Sequence, residues 1–279
     1  MEAKLYKFSG AGNDFVVIDG REGDVSAFRA VPRIEALCKQ FKTDGLMILG
    51  SGDAGVDFTM EFYNPDGSGG MMCGNGGRCI VAFADYLGIK PASGGVFLFM
   101  APDGLHTGEI LERPGGSTGS PTDRWIVRIK MIDVQGITPM LGGYFLNTGT
   151  RHFVKFVEDV EQVDVDAEGK ALRWNEAFAP IGTNVNFVHV APDGLHVRTF
   201  EKGVEGETLA CGTGLTASAI VAYAASVIPS DPSVIPSEAK ESVRLRARQD
   251  WLSVNFTPGA DEKFTDVYLT GPARLVEIH

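Results

Sequence analysis

The sequence is poor in cysteine, in basic charge and in long apolar runs, and each shortage excludes something. Four cysteines in 279 residues do not make a disulfide framework, and the default compartment for such a chain is the reducing cytoplasm. No segment approaches the roughly 20 apolar residues of a membrane span, and the opening "MEAKLYKFSGAGNDF" lacks the apolar stretch of a signal peptide. Lys and Arg number 25 against 36 Asp and Glu, for a formal net charge of −11. That balance argues for solubility and against a nucleic-acid or anionic-membrane partner, either of which needs a basic patch. "VRLRAR" (243–248) alternates as a strand does, with its arginines on one face. Neither half holds a C-x-x-C pair, and the Cys73–Cys79 spacing is wrong for zinc, so no metal site is expected. "GAGND" (10–14) lacks the third glycine of a dinucleotide loop, and no Gly-Lys-Ser/Thr follows a glycine-rich turn. No context singles out a Schiff-base lysine.

What is present is an ordinary globular composition, 44% hydrophobic and 22% charged with 35 glycines, long enough for two domains. It also holds an internal repeat. Cys73 and Cys211 lie 138 positions apart, as do Phe62 and Phe200, and Phe15 and Phe153. At that offset "GLMILGSGDAGVDFTMEF" (45–62) lies over "TNVNFVHVAPDGLHVRTF" (183–200), each reading as strand, glycine turn, strand. A polar loop then leads into Cys-Gly-X-Gly and an apolar helical stretch in both halves. The expected fold is α/β of the α+β type, two similar domains from a duplication facing each other across a cleft. The Gly/Ser/Pro-rich "ERPGGSTGSPTD" (112–123) reads as the linker, giving domains 1–122 and 123–267. "SVIPSDPSVIPSEAKES" (226–242) reads as a surface excursion, and "PDGLH" at 102–106 and 192–196, out of register with the repeat, as two similar turns.

The repeated cysteine carries the chemistry. Each precedes a helix, and the glycines after it let the backbone approach a ligand without a Cβ clash. The free N–H groups and the positive end of the helix dipole favour negative charge there, which should lower a thiol's pKa. Two such thiols facing each other suit the removal of a proton from one face of a carbon and its return on the other. Without a pyridoxal sink, donors aimed at the substrate carboxylate must stabilise the carbanion. Cys38 and Cys79, on apolar helical stretches, read as buried structural residues.

These residues resemble the diaminopimelate epimerases, cofactor-independent enzymes of lysine and cell-wall precursor synthesis. "NPDGSGGMMCGNGGR" (64–78) fits that family's Asn-X-Asp-Gly-Ser, four residues, Cys-Gly-Asn-Gly-X-Arg. "FSGAGNDFVVID" (8–19), "NTGTRHF" (147–153), "GTNVNF" (182–187) and "FEKGVEGETLACGTG" (200–214) are also similar. The resemblance implies two domains, each a sheet around a central helix, with the last strand (about 268–279) crossing back to the first. It implies Cys73 and Cys211 as the acid/base pair and His152 and Glu201 as residues that adjust their protonation. Asn13, Asn64, Asn75 and Asn184 would hold the diamino diacid, with Glu201 and Lys202 beside them, and Gly74, Gly212 and Thr213 would donate backbone N–H groups to the reacting carboxylate. Gly76 reads as a turn requirement; Asp66, Ser68 and Arg78 as braces. No cofactor and no partner beyond the small-molecule substrate is implied, and a homodimer is left open.

Three positions depart from the pattern. Lys202 stands where an arginine is expected to grip a carboxylate, keeping the charge and losing the bidentate fork. Thr150 and Arg151 stand where Asn or Ser and then Pro are usual, with Arg151 either a compensating charge or a solvent-facing residue. Gly45 stands where some members carry a side-chain amide. Two rival readings remain: the same two-thiol chemistry on another amino acid, and a redox-responsive or ligand-binding protein that uses the cysteine pair as a reversible disulfide. The ring of asparagines speaks against the second.

Overall fold

The computed structural model describes residues 4–53, 55–92, 94–115, 123–227 and 241–279. The chain divides into two compact units, residues 1–129 with 271–279, and residues 130–270.

Unit 1 contains β1 (Leu5–Gly10), β2 (Asn13–Asp19), α1 (Val31–Phe41), β3 (Leu46–Ser51), β4 (Phe58–Tyr63), α2 (Gly74–Tyr86), β5 (Val96–Ala101), β6 (Gly104–Glu112) and β7 (Trp125–Lys130). Unit 2 contains β8 (Thr138–Met140), β9 (Gly143–Asn147), β10 (Arg151–Phe156), α3 (Val165–Arg173), β11 (Asn184–Ala191), β12 (Gly194–Glu201), β13 (Gly206–Thr208), α4 (Gly212–Ala224), β14 (Glu241–Arg246) and β15 (Trp251–Pro258). The long β16 (Phe264–Ile278) begins in unit 2 and ends in unit 1.

The duplication is visible in the strand pairings. In unit 1, β1–β2, β3–β4 and β5–β6 are antiparallel, while β2–β3 and β4–β5 are parallel, with α1 and α2 as their crossovers. In unit 2, β9–β10, β11–β12 and β14–β15 are antiparallel, while β10–β11 and β12–β14 are parallel, with α3 and α4 as crossovers. Antiparallel neighbours need only tight turns, whereas a parallel pair needs a helix-length connection, so each half alternates hairpin and crossover. The two "PDGLH" segments are hairpin turns with one local solution: His106 pairs with Asp103 at 3.2 Å and His196 with Asp193 at 2.9 Å.

Each sheet wraps a helix. Every residue of α2 from Gly74 to Ala84 is buried, and α2 packs on β1, β2, β3 and β6. Its apolar stretch, residues 79–84, belongs in the core, and the buried Asn75 and Arg78 of its N-terminal part are hydrogen-bonded there. α4 packs on β9 to β12 and on β14 and β15; its buried hydroxyls are satisfied within the helix, Thr216 donating to the Gly212 carbonyl (3.0 Å) and Ser218 to that of Gly214 (2.8 Å). The sheet of unit 1 closes on itself, because β16 neighbours β7 and pairs antiparallel with β1 (Phe8 with Leu275, Tyr6 with Ile278).

Two boundary expectations change. The stretch 112–123, expected to link the domains, joins the antiparallel pair β6 and β7 inside unit 1, and the division falls between Ile129 and Lys130. Residues 116–122 of that stretch, and 228–240 of the expected surface excursion, lie outside the described residues. Among the described residues no helix is long and apolar enough to cross a membrane.

Candidate active site

Cys73 is the N-cap residue of α2 and Cys211 that of α4. Both have extended backbone, φ −101° and −108°, and each carbonyl accepts the first intrahelical bond, from Gly77 N–H (2.8 Å) and Leu215 N–H (2.9 Å). The N–H groups ahead of that bond, Gly74 in one helix and Gly212 and Thr213 in the other, have no acceptor within their helix. The two sulfurs are held differently. Cys73 Sγ accepts from Gly76 N–H at 3.2 Å, in the manner of a capping oxygen. Cys211 Sγ lies 3.5 Å from Thr213 Oγ1. All four cysteines are free thiols; burial pushes the Cys38 and Cys79 thiols up.

In unit 1, Asn13 and Asn75 meet. Asn75 Nδ2 donates to Asn13 Oδ1 at 2.5 Å, and the fully buried Arg78 sets the orientation by donating Nη2–H to Asn75 Oδ1 at 2.7 Å. Arg78 also donates to the carbonyls of Gly74 (3.1 Å) and Pro272 (3.3 Å). Asn64 lies in the loop before Cys73, where its Nδ2 donates to Ser68 Oγ (3.0 Å) and Ser68 donates twice to Asp66 Oδ1. Asp66 and Ser68 therefore brace the loop. Gly76 is helical; a Cβ there would stand 3.2 Å from Cys73 Sγ, so the glycine makes room for the sulfur and the expected turn requirement is replaced by a spatial one.

In unit 2, His152, Asn184, Thr213 and Cys211 come together. Asn184 donates to Thr150 Oγ1 (3.1 Å) and to the Arg151 carbonyl (2.9 Å), and accepts from Lys202 N–H (2.8 Å). Both of its N–H groups are thus spent on protein. His152 is fully buried, and burial pushes its pKa down to about 3, leaving a neutral ring. Its Nε2 lies 2.9 Å from the hydroxyls of both Thr150 and Thr213. Glu201 ends β12 and Lys202 follows it. Arg151 is half-buried, stacks over Phe145 (5.1 Å to the ring centre) and donates to the Phe178 carbonyl (3.3 Å). At Gly45 a Cβ would fall 2.7 Å from the Tyr63 carbonyl oxygen, so a side chain there requires the backbone to shift. Among the described residues no cluster of three or more His, Cys, Asp or Glu could hold a metal.

A sequence model of the diaminopimelate epimerase family matches residues 5–94 and 144–275. The diaminopimelate epimerase of Flavobacterium psychrophilum is 36% identical over 98% of both chains, and that of Aquifex aeolicus 40% identical over 91% of this chain and 93% of its own.

The chain belongs to the diaminopimelate epimerase family.

Solved structures extend the likeness at the level of fold. A phenazine-biosynthesis protein of Bacillus anthracis superposes with a TM-score of 0.72 at 12% identity, covering 100% of this chain and 99% of its own. A hydroxyproline epimerase from Agrobacterium vitis superposes at 0.63 and 15% identity, covering 99% and 91%. Within this diaminopimelate epimerase family member, three further residues sit against the expected ones: Arg78, read from the sequence as a brace, behind Asn75, and Thr150, read as a departure, and Asn186, not singled out, against His152. Asn186 had a readable signal. In "NVNF" two asparagines two apart in an apolar strand share one face, and an amide on a core-facing strand position needs buried partners.

Proposed function

We propose that this protein interconverts LL- and meso-diaminopimelate by a two-thiol mechanism that needs no cofactor, its two units acting as the two epimerase domains. The observation that carries the reading is that Cys73 and Cys211 occupy the same N-cap position on duplicated, buried helices in a chain of this family. One cysteine, as thiolate, takes the α-proton; the other, as thiol, returns one to the opposite face, and the roles exchange with direction. The helix ends favour the thiolate. The N–H groups of Gly74, Gly212 and Thr213 are then the donors to the carboxylate that gathers charge as the proton leaves. Asn13, Asn64 and Asn75 in one unit and Asn184, Glu201 and Lys202 in the other hold the diamino diacid, Asn184 through its Oδ1 because its N–H groups are engaged by Thr150 and Arg151, with His152 and Glu201 adjusting the thiols. The reading carries a cytoplasmic location and no nucleic-acid or membrane partner, and leaves a homodimer open.

The test is NMR of LL-diaminopimelate in D₂O with reduced, pyridoxal-free protein beside Cys73→Ala and Cys211→Ala variants. The meso isomer carrying deuterium at one α-carbon is expected with the parent protein and is lost in both variants. Absence of both exchange and meso product with reduced parent protein would overturn the substrate assignment and direct a screen to other amino acids, which Lys202 motivates.

A further inference from the structure

The buried hydrogen-bond chain behind Cys211 has a direction, and Asn186 sets it. Asn186 is fully buried on β11. Thr199 Oγ1 donates to its Oδ1 at 3.0 Å, and its Nδ2 donates to the Phe153 carbonyl at 3.1 Å. These two bonds fix which end of the amide is which, because a flipped amide would set oxygen against the Phe153 oxygen. The second N–H of Nδ2 then points at His152 Nδ1, 3.1 Å away. A ring nitrogen that accepts carries no proton, so the neutral imidazole bears its proton on Nε2, 2.9 Å from the hydroxyl oxygens of both Thr213 and Thr150.

Nε2 is therefore a donor and cannot accept from Thr213. Within the protein the Thr213 hydroxyl hydrogen has two remaining acceptors in reach, Thr150 Oγ1 at 3.4 Å and Cys211 Sγ at 3.5 Å. Thr150 already accepts from Asn184 Nδ2 at 3.1 Å, and its own hydrogen can turn to Thr213. Two buried amides thus feed hydrogens into Thr213 from behind, and a thiolate is the strongest acceptor left to it.

We propose that Asn186 is a positioning residue that locks His152 in the Nε2–H tautomer, so that the Thr213 hydroxyl is held as a donor to the Cys211 thiolate. The inference deepens the two-thiol reading and rests on it only for the use made of Cys211. His152 then acts through Thr213 as a fixed neutral donor, and no proton leaves the ring. Gly214 belongs to the same arrangement: a Cβ there would lie 2.3 Å from Asn186 Oδ1, so the helix leaves room for the amide.

The test uses full-length protein labelled with ¹⁵N-histidine, in a Cys73→Ala background. Cys38 and Cys79 stay as thiols there, being pushed up by burial, so thiolate absorbance near neutral pH reports Cys211. His152 is expected to show a protonated Nε2 and an unprotonated Nδ1. Asn186→Asp presents a carboxylate to Nδ1, draws the proton there, and turns Nε2 into an acceptor that takes the Thr213 hydrogen from the sulfur. The Cys211 titration is then expected to move up by about one pH unit, a tenfold drop in thiolate at a pH below its midpoint. Thr213→Val, which keeps the branched shape, is expected to move the Cys211 titration likewise with the His152 tautomer unchanged, and it serves where Asn186→Asp does not fold. A protonated Nδ1 in the parent, or a Cys211 titration indifferent to Thr213→Val, overturns the proposal. Both readouts are taken without substrate, so a failure of the epimerase assay with the tautomer intact would count against the substrate reading and not against this chain.

Discussion

A neutral imidazole sealed in a protein interior ties stability to pH. His152 holds its pKa at about 3 against an ordinary 6.5, chiefly through burial. Between those values the unfolded chain binds a proton at His152 that the folded chain excludes. Stability therefore rises with pH across that window, by at most about 1.4 kcal/mol per pH unit for one proton, and the contribution is complete above pH 6.5. Urea unfolding at steps from pH 4.5 to 7 is expected to show a steeper loss on acidification for the parent than for His152→Gln, which has no proton to gain. Parallel slopes would mean that His152 becomes protonated without unfolding. At the same scale the sequence was only partly readable. Cys73 and Cys211 stand out because their contexts repeat. Thr150 looked like a departure from the family pattern, and its contact with His152 arises only because β9 and β10 turn tightly around it.

Among the elements, α2 is tied down by one buried side chain in addition to its packing on β1, β2, β3 and β6. Arg78 ties the first turn of the helix to itself through Gly74, to Asn75 through the amide oxygen, and to β16 through the Pro272 carbonyl. Lysine keeps the charge but cannot reach three acceptors with one planar fork. Hydrogen bonds to charged groups contribute about 1.5–3 kcal/mol each, and a buried acceptor left without a donor adds to the cost. Arg78→Lys is therefore expected to lower stability by about 2–3 kcal/mol in urea unfolding at pH 7, and an unchanged midpoint would show that α2 is anchored by its apolar packing alone. The alternation of hairpin and crossover was legible in the 138-residue offset, since strand, turn and helix signals are local. The pairing of β10 with β11 was not, because a parallel register is set across α3 and no local pattern encodes it. That register brings Asn186 to His152, so the sequence marks Asn186 as a buried amide without naming its partner. The 112–123 stretch misled for a related reason: its composition marks a loop, and composition does not say whether a loop joins domains or two strands of one sheet.

For the whole molecule, the decisive feature is that residues 271–279 complete unit 1. They close its sheet against β1, with Leu5 and His279 exchanging backbone bonds at 2.9 and 2.7 Å. A chain ending at Thr270 is expected to lose amide protection throughout unit 1 in hydrogen-exchange mass spectrometry, while β9 to β12 and α4 keep theirs. Retained protection in β1, β2 and α2 would show that the sheet tolerates an open edge. The same feature sets a timetable for biosynthesis. Phe8 leaves the ribosome early and its partner Leu275 emerges only after nearly all the intervening chain, a wait on the order of ten to fifty seconds at about 5–20 residues per second. Through that interval the nascent β1 lacks its β16 partner and offers the unpaired edge that templates pairing with another chain, while unit 2 has its own strands to hand. The half that is made first is the half that finishes last.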